Sequence, residues 1–147
     1  LPRPGAARLE SLRQQLESAA ADRNPHVAWT GGEVRRWRGE AWALRPAMVL
    51  DPDAVYDWSD RRQPLDLPHR RLEPEALEAL AGTIDDKSRV RIRFRQGGER
   101  LARRDGKGSV ALKRSLADNG IPPWERDRVP LVYVDGDLIG AIGVPRP

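Results

Sequence analysis

Along Arg89–Arg95, charged and apolar residues alternate without a break: Arg-Val-Arg-Ile-Arg-Phe-Arg. A period of two predicts a strand with Val90, Ile92 and Phe94 on one face and Arg89, Arg91, Arg93 and Arg95 on the other. Near the end of the chain, the apolar runs Leu131–Val134 and Leu138–Ile142 flank Asp135-Gly136. That pair suits a type I′ turn, so the runs predict a hairpin. Between these elements, Gly97-Gly98 turns the chain, Arg100–Arg104 reads as a returning strand and Asp105–Gly108 as a loop. Residues 109–119 read as a helix with Ser109 as N-cap, Leu112 and Leu116 on its buried side and Gly120 at its end. Pro74 and Gly82 bracket a further helix over 74–81.

The first part of the chain has a different rhythm. Leu9, Leu12 and Leu16, extended by Ala19 and Ala20, recur at helical spacing and predict a helix over 6–22, ended by Asn24-Pro25. Three short strands follow, Val27–Trp29, Glu33–Arg38 and Ala41–Leu44, with Gly31-Gly32 and Gly39 at the turns. Residues 45–64 have no steady period and carry Arg45-Pro46, Asp51-Pro52 and Gln63-Pro64, so they read as a connector. The expected class is α+β. A small helix-plus-meander unit over 1–50 is followed by a linker over 51–64. The remainder, 65–147, is an antiparallel or mixed β-sheet domain with helices packed on one face.

Composition adds exclusions. The chain has 147 residues and no Cys, so disulfides, thiolate chemistry and Cys-based zinc sites are out. His26 and His69 lie far apart without a nearby second ligand, and the irregular spacing of Asp51, Asp57 and Asp60 suits solvated acids better than a cation site. No apolar run approaches the ~20 residues of a membrane helix, so no membrane partner is expected. The first residue is Leu, and the chain reads as a segment of something longer.

Charge changes the picture more. Of 26 basic residues 23 are Arg, and the window Lys87–Arg114 holds 11 basic residues against Glu99 and Asp105, a net +9 in a chain of net +4. The guanidinium fork binds two phosphate oxygens at once, so this local field suits a phosphate polyanion. Exposed strand faces are often charged, and edge Arg hinders aggregation. A typical face mixes signs, however, whereas alternate Arg lie about 6.7 Å apart and repel one another. No acidic residue lies among them in the sequence to relieve this.

The five Trp, at 29, 37, 42, 58 and 124, could stack on bases. For Trp29, Trp37 and Trp42 a core role is expected, because the meander has few other large apolar residues. Trp124 lies between Pro122-Pro123 and the pair Arg126 and Arg128, and fits a loop anchor or a stacking surface equally well. Gly106-Lys107-Gly108-Ser109 is no nucleotide-binding loop, since Gly108 separates Lys107 from Ser109. It reads as a basic loop entering a helix N-terminus, where a phosphate can be received.

The stretch Phe94-Arg95-Gln96-Gly97-Gly98-Glu99-Arg100, then Ser115-Leu116, then Gly120 through Tyr133 with its Ile121-Pro122-Pro123-Trp124-Glu125-Arg126-Asp127-Arg128 core, resembles the C-terminal domain of the tRNA(Ile)-lysidine synthetases. Upstream, Trp29-Thr30-Gly31-Gly32-Glu33-Val34-Arg35-Arg36 is similar to the end of that family's middle, substrate-binding domain. The resemblance implies a parent ligase that uses ATP and Mg²⁺ to adenylate C2 of the wobble cytidine of tRNA(Ile) with a CAU anticodon. Free lysine then displaces AMP to give lysidine. It places that chemistry in an N-terminal domain with a Ser-Gly-Gly-x-Asp-Ser loop, a sequence not found here, so no cofactor and no turnover are expected of this segment alone. The implied partners are tRNA(Ile), gripped at its body and acceptor stem, and the enzyme's own N-terminal catalytic domain, in the cytoplasm; a homodimer is left open. Arg95, Arg100, Arg126 and Arg128 lie in the matching motifs. Arg89, Arg91, Arg93, Arg103, Arg104, Lys107, Lys113 and Arg114 join the candidate tRNA-binding set on charge, with Trp124 beside them. The end departs from the pattern, since Val144-Pro145-Arg146-Pro147 stands where many relatives have an aromatic. Two other readings remain: a general nucleic-acid-binding module, and an interaction domain for an acidic protein surface.

Overall fold

The computed structural model describes residues 5–18 and 25–147. The chain forms two compact units, Leu1–Val49 and Leu50–Pro147. In the first, helix α1 spans Ala6–Ser18. Arg13 ties its surface by reaching Glu10 and Glu17, each at 2.7 Å, one turn to either side. The rest of the predicted helix, 19–22, lies outside the described residues. Strands β1 (His26–Trp29), β2 (Gly32–Trp37) and β3 (Glu40–Leu44) pair antiparallel in that order. Arg38 and Gly39 both have positive φ, as the tight β2–β3 turn demands.

The expected tryptophan core of this unit is not what forms. Trp29 and Trp37 are half-buried, and Trp42 is 38% exposed. A three-stranded sheet offers too little surface to enclose three indoles. Trp29 instead lies over Gly32, and the Arg38 guanidinium sits 4.6 Å from the Trp37 ring centre.

The second unit centres on a four-stranded antiparallel sheet. Its strands are β4 (Val55–Asp57), β7 (Val90–Arg93), β10 (Leu131–Val134) and β11 (Asp137–Ala141), in spatial order β11-β10-β7-β4. Two small hairpins accompany it, β5 (Leu65–Leu67) with β6 (Arg70–Leu72), and β8 (Arg100–Ala102) with β9 (Ser109–Ala111). Asp135 and Gly136, both at positive φ, make the predicted turn between β10 and β11. Opposite the Val132/Tyr133 step the β10–β11 register slips, which leaves Ile139 as an extra residue.

β10 reads Leu-Val-Tyr-Val, apolar on both faces, and each face has its own core. Val132 and Val134 join Val90, Ile92, Phe94, Trp58 and the leucines of a 3-10 helix, Pro74–Thr83. Leu131 and Tyr133 join Leu101, Leu112, Leu116 and Ala141 on the other side. The sheet is thus covered on both faces at its β10–β11 end.

Three local expectations are revised. The linker 51–64 contains β4, which pairs with β7, and Trp58, 2% exposed, whose Nε1 donates to the Gln63 carbonyl at 2.9 Å. The boundary between compact units therefore falls earlier, between Val49 and Leu50. The helix over 109–119 begins later: Ser109–Ala111 is β9, and helix α2 spans Leu112–Asp118 without a side-chain cap. Pairing of Ser109 with Ala102 wins the backbone that a cap would have used. The helix at 74–81 is a 3-10 helix reaching Thr83, so Gly82 lies inside it.

Candidate nucleic-acid interface

The alternation in β7 survives folding. Val90, Ile92 and Phe94 are 2%, 0% and 2% exposed, while Arg91 and Arg93 are half-exposed on the opposite face. Register sets Arg91 beside Tyr133 and Arg93 beside Leu131, residues of the second core. The arginines therefore occupy the uncovered continuation of the face whose other end α2 and the β8–β9 hairpin cover. The Arg93 guanidinium lies 5.6 Å from the Tyr133 ring centre.

The stripe is not of one sign. Asp57, on the edge strand β4, is in register with Arg91. Its Oδ1 accepts from Arg89 Nε at 3.2 Å and Arg91 Nε at 3.1 Å. These bonds, from Arg89 first and then Arg91, hold the Asp57 carboxyl below the ordinary carboxylate range. Arg95 is also paired, Nη1 to Asp127 Oδ1 at 2.7 Å, which ties the end of the strand to helix α3 (Pro123–Arg126). Repulsion expected from the linear sequence is relieved by carboxylates 32 or more residues away.

Glu99, one of two acids in the basic window, folds the Gln96–Arg100 turn. Its carboxylate accepts from the backbone N–H of Gln96 and, at 3.0 Å, of Gly97. Burial pushes Glu99 upward, but the N–H donors of Gln96, Gly97 and its own residue, with Arg95 nearby, bring it below its usual value. Gln96 reaches back to Asp53 at 2.6 Å, securing the approach to β4.

A second basic group forms where β8, β9 and α2 meet. Arg100, Arg103 and Arg114 line a cleft of about 600 Å³ together with Ser109, Asp118 and Asn119. Arg100 is locked in place, donating from Nε to Ser109 Oγ at 2.8 Å and from Nη2 to the Ser109 carbonyl at 2.9 Å. Arg114 lies 3.6 Å from Asp118. Arg103, Arg104, Lys107 and Lys113 are exposed, with no side-chain hydrogen bond or ion pair among the described residues. Lys107 sits at the tip of a loop stitched by Gly106 N–H to the Arg103 carbonyl, 3.1 Å, and Arg103 N–H to the Gly108 carbonyl, 3.0 Å. Because β9 separates that loop from α2, Lys107 does not enter a helix N-terminus as expected.

The remaining candidates are engaged within the protein itself. Arg126 donates from Nε to the Ile121 carbonyl at 2.9 Å, and Arg128 approaches Glu125 at 3.9 Å. The His69 ring, half-buried, donates from Nε2 to the Arg128 carbonyl at 3.0 Å and meets Phe94 edge-on. Trp124 is half-buried on α3. In the first unit, Glu33 is nearly enclosed and accepts from Arg35 Nε at 3.0 Å, with His26 Nε2 at 2.7 Å. Burial raises Glu33, and its bonds to Arg35 and His26 outweigh that and lower it. The partners Asp57, Asp127 and Tyr133 escape sequence reasoning, since a pairing across 32 or more positions leaves no local signal. Among the described residues no helix is long and apolar enough to cross a membrane.

Fold and site together define an α+β protein with much of its excess positive charge gathered on one side of an antiparallel sheet. Residues 90–146 match the TilS substrate C-terminal domain, and residues 1–42 the TilS substrate binding domain. The chain is 35% identical over 143 residues to a tRNA(Ile)-lysidine synthase of Methylococcus capsulatus, covering 95% of this chain and 32% of that one. It is 36% identical over 142 residues to that of Xanthomonas axonopodis pv. citri, covering 96% and 30%. For Ralstonia nicotianae the identity is 38% over 148 residues, covering 93% and 32%. The chain belongs to the tRNA(Ile)-lysidine synthase family, and it spans about a third of the length of these relatives.

Proposed function

We propose that this segment is the tRNA-gripping part of a tRNA(Ile)-lysidine synthase and carries none of its bond-making chemistry. In this reading the parent ligase attaches lysine to C2 of the wobble cytidine of tRNA(Ile) with ATP and Mg²⁺, in a catalytic domain outside these residues. The observation that supports the grip most directly is the shared side of the sheet. Arg91 and Arg93 on β7, with Arg89 just before it, adjoin the β8–β9–α2 region that presents Arg100, Arg103 and Arg114. Phosphate contacts of this kind position a nucleic acid without reading its sequence.

Replacing Arg91 and Arg93 together with Gln tests this reading. Both are half-exposed and on the face opposite Ile92, so the melting temperature should shift little. Binding of a tRNA(Ile) transcript should weaken, and the log–log salt slope should become shallower by about 0.7–0.9 for each lost phosphate contact. A Glu75→Gln, Glu78→Gln control should do neither. Unchanged affinity and slope would remove the strand face from the grip. Loss of affinity without any salt dependence in the parent would favour a protein partner.

A further inference from the structure

Asp57 holds an unexpected place in a surface that is otherwise suited to phosphate. A carboxylate beside the arginines of an anion-binding face should lower affinity by simple repulsion. Its geometry argues for another role. One oxygen, Oδ1, accepts from the Nε atoms of both Arg89 and Arg91, and Oδ2 takes Arg89 Nη2 at 3.4 Å. The Arg91 Nη1 and Nη2 and the Arg89 Nη1 then have no protein partner among the described residues. The backbone beneath is pinned as well. Arg89 N–H donates to Asp135 Oδ1 at 2.9 Å, and Asp135 N–H returns to the Arg89 carbonyl at 3.0 Å.

We propose that Asp57 is a positioning residue that presets Arg89 and Arg91 as a paired clamp for two neighbouring phosphates of one RNA strand. This rests on the tRNA-gripping reading above. Positions i and i+2 of a strand lie about 6.7 Å apart, the scale of successive phosphates along a nucleic-acid chain. Holding the guanidiniums mainly by their Nε atoms leaves Arg91 Nη1 and Nη2 and Arg89 Nη1 for charge-assisted bonds to phosphate oxygens. Two long side chains ordered in advance lose less freedom on binding. Ion pairs this exposed, with side chains 62%, 37% and 48% accessible, contribute little to folding, so a stabilising role does not explain the arrangement.

The test turns on a sign. Asp57→Asn keeps the shape and removes one negative charge, so repulsion alone predicts tighter binding of a tRNA(Ile) transcript and a steeper salt slope. Positioning predicts the reverse, with affinity weakened roughly five- to tenfold and an unchanged melting temperature. Asp57→Glu, which keeps the carboxylate and its charge-assisted bonds, should restore part of the affinity. In an Arg89→Gln, Arg91→Gln background the Asp57→Asn change should have no further effect, because its action passes through those two side chains. Equal or tighter binding by Asp57→Asn, or an undiminished effect in that background, overturns the proposal. If Arg89→Gln, Arg91→Gln itself binds as tightly as the parent, this patch is not the grip and the clamp falls with it. If that variant weakens binding while Asp57→Asn does not, the tRNA-gripping reading stands and only the clamp is lost.

Discussion

His69 joins the loop that carries Arg128 to the core, and its protonation state follows from where it sits. Burial lowers its pKa; the Arg128 carbonyl it bonds pulls the other way, the charges of Arg128 and Arg70 lower it further, and Glu125 opposes them. A depressed folded value means that protonation favours the unfolded chain. The stability held by neutral His69 is therefore complete above its ordinary value of 6.5 and is lost as pH falls from there through the folded value. The melting temperature should fall between pH 7.5 and 5. His69→Gln should melt lower at pH 7.5, with the gap to the parent narrowing towards pH 5. A gap that stays constant would show that His69 does not titrate on unfolding. That His69 would bond a carbonyl 59 positions away could not be reasoned from the sequence.

Elements with strong local periodicity were legible in the chain. β7 and the Asp135-Gly136 hairpin formed within a residue or two of their expected ends, because alternation and turn chemistry act over few positions. β4 was missed because Val55–Asp57 is too short to show a period and exists by pairing with β7. β9 displaced the start of a helix for the same reason. In the first unit, Gly32 shows how tightly an element can depend on one position. A Cβ there would lie 2.5 Å from Trp29 Cζ2 and 2.7 Å from Trp29 Cε2, so the indole must move. Gly32→Ala should destabilise the meander by about 1–3 kcal/mol. Hydrogen exchange should quicken in β1 and β2 but not in β7 and β10. Unchanged protection in β1 would mean that Trp29 repacks without loss.

Across the whole chain, the division into units sets where it can be cut. Val49 is 95% exposed and immediately precedes Leu50, which packs against the first core of the second unit. Limited proteolysis should cut within 45–49 and leave 50–147 intact. A preferred cut within Val55–Trp58 would contradict their place in the sheet. Charge segregation, the α+β class and the family were readable from residue order, because composition, short periods and local motifs need no partner in space. What the arginines do with one another was not. In the linear chain they stand as a repelling row; in the fold Asp57 and Asp127 come to them from distant elements. Coulomb interaction depends on separation in space, and only chain folding brings 57 beside 89 and 91 or 127 beside 95.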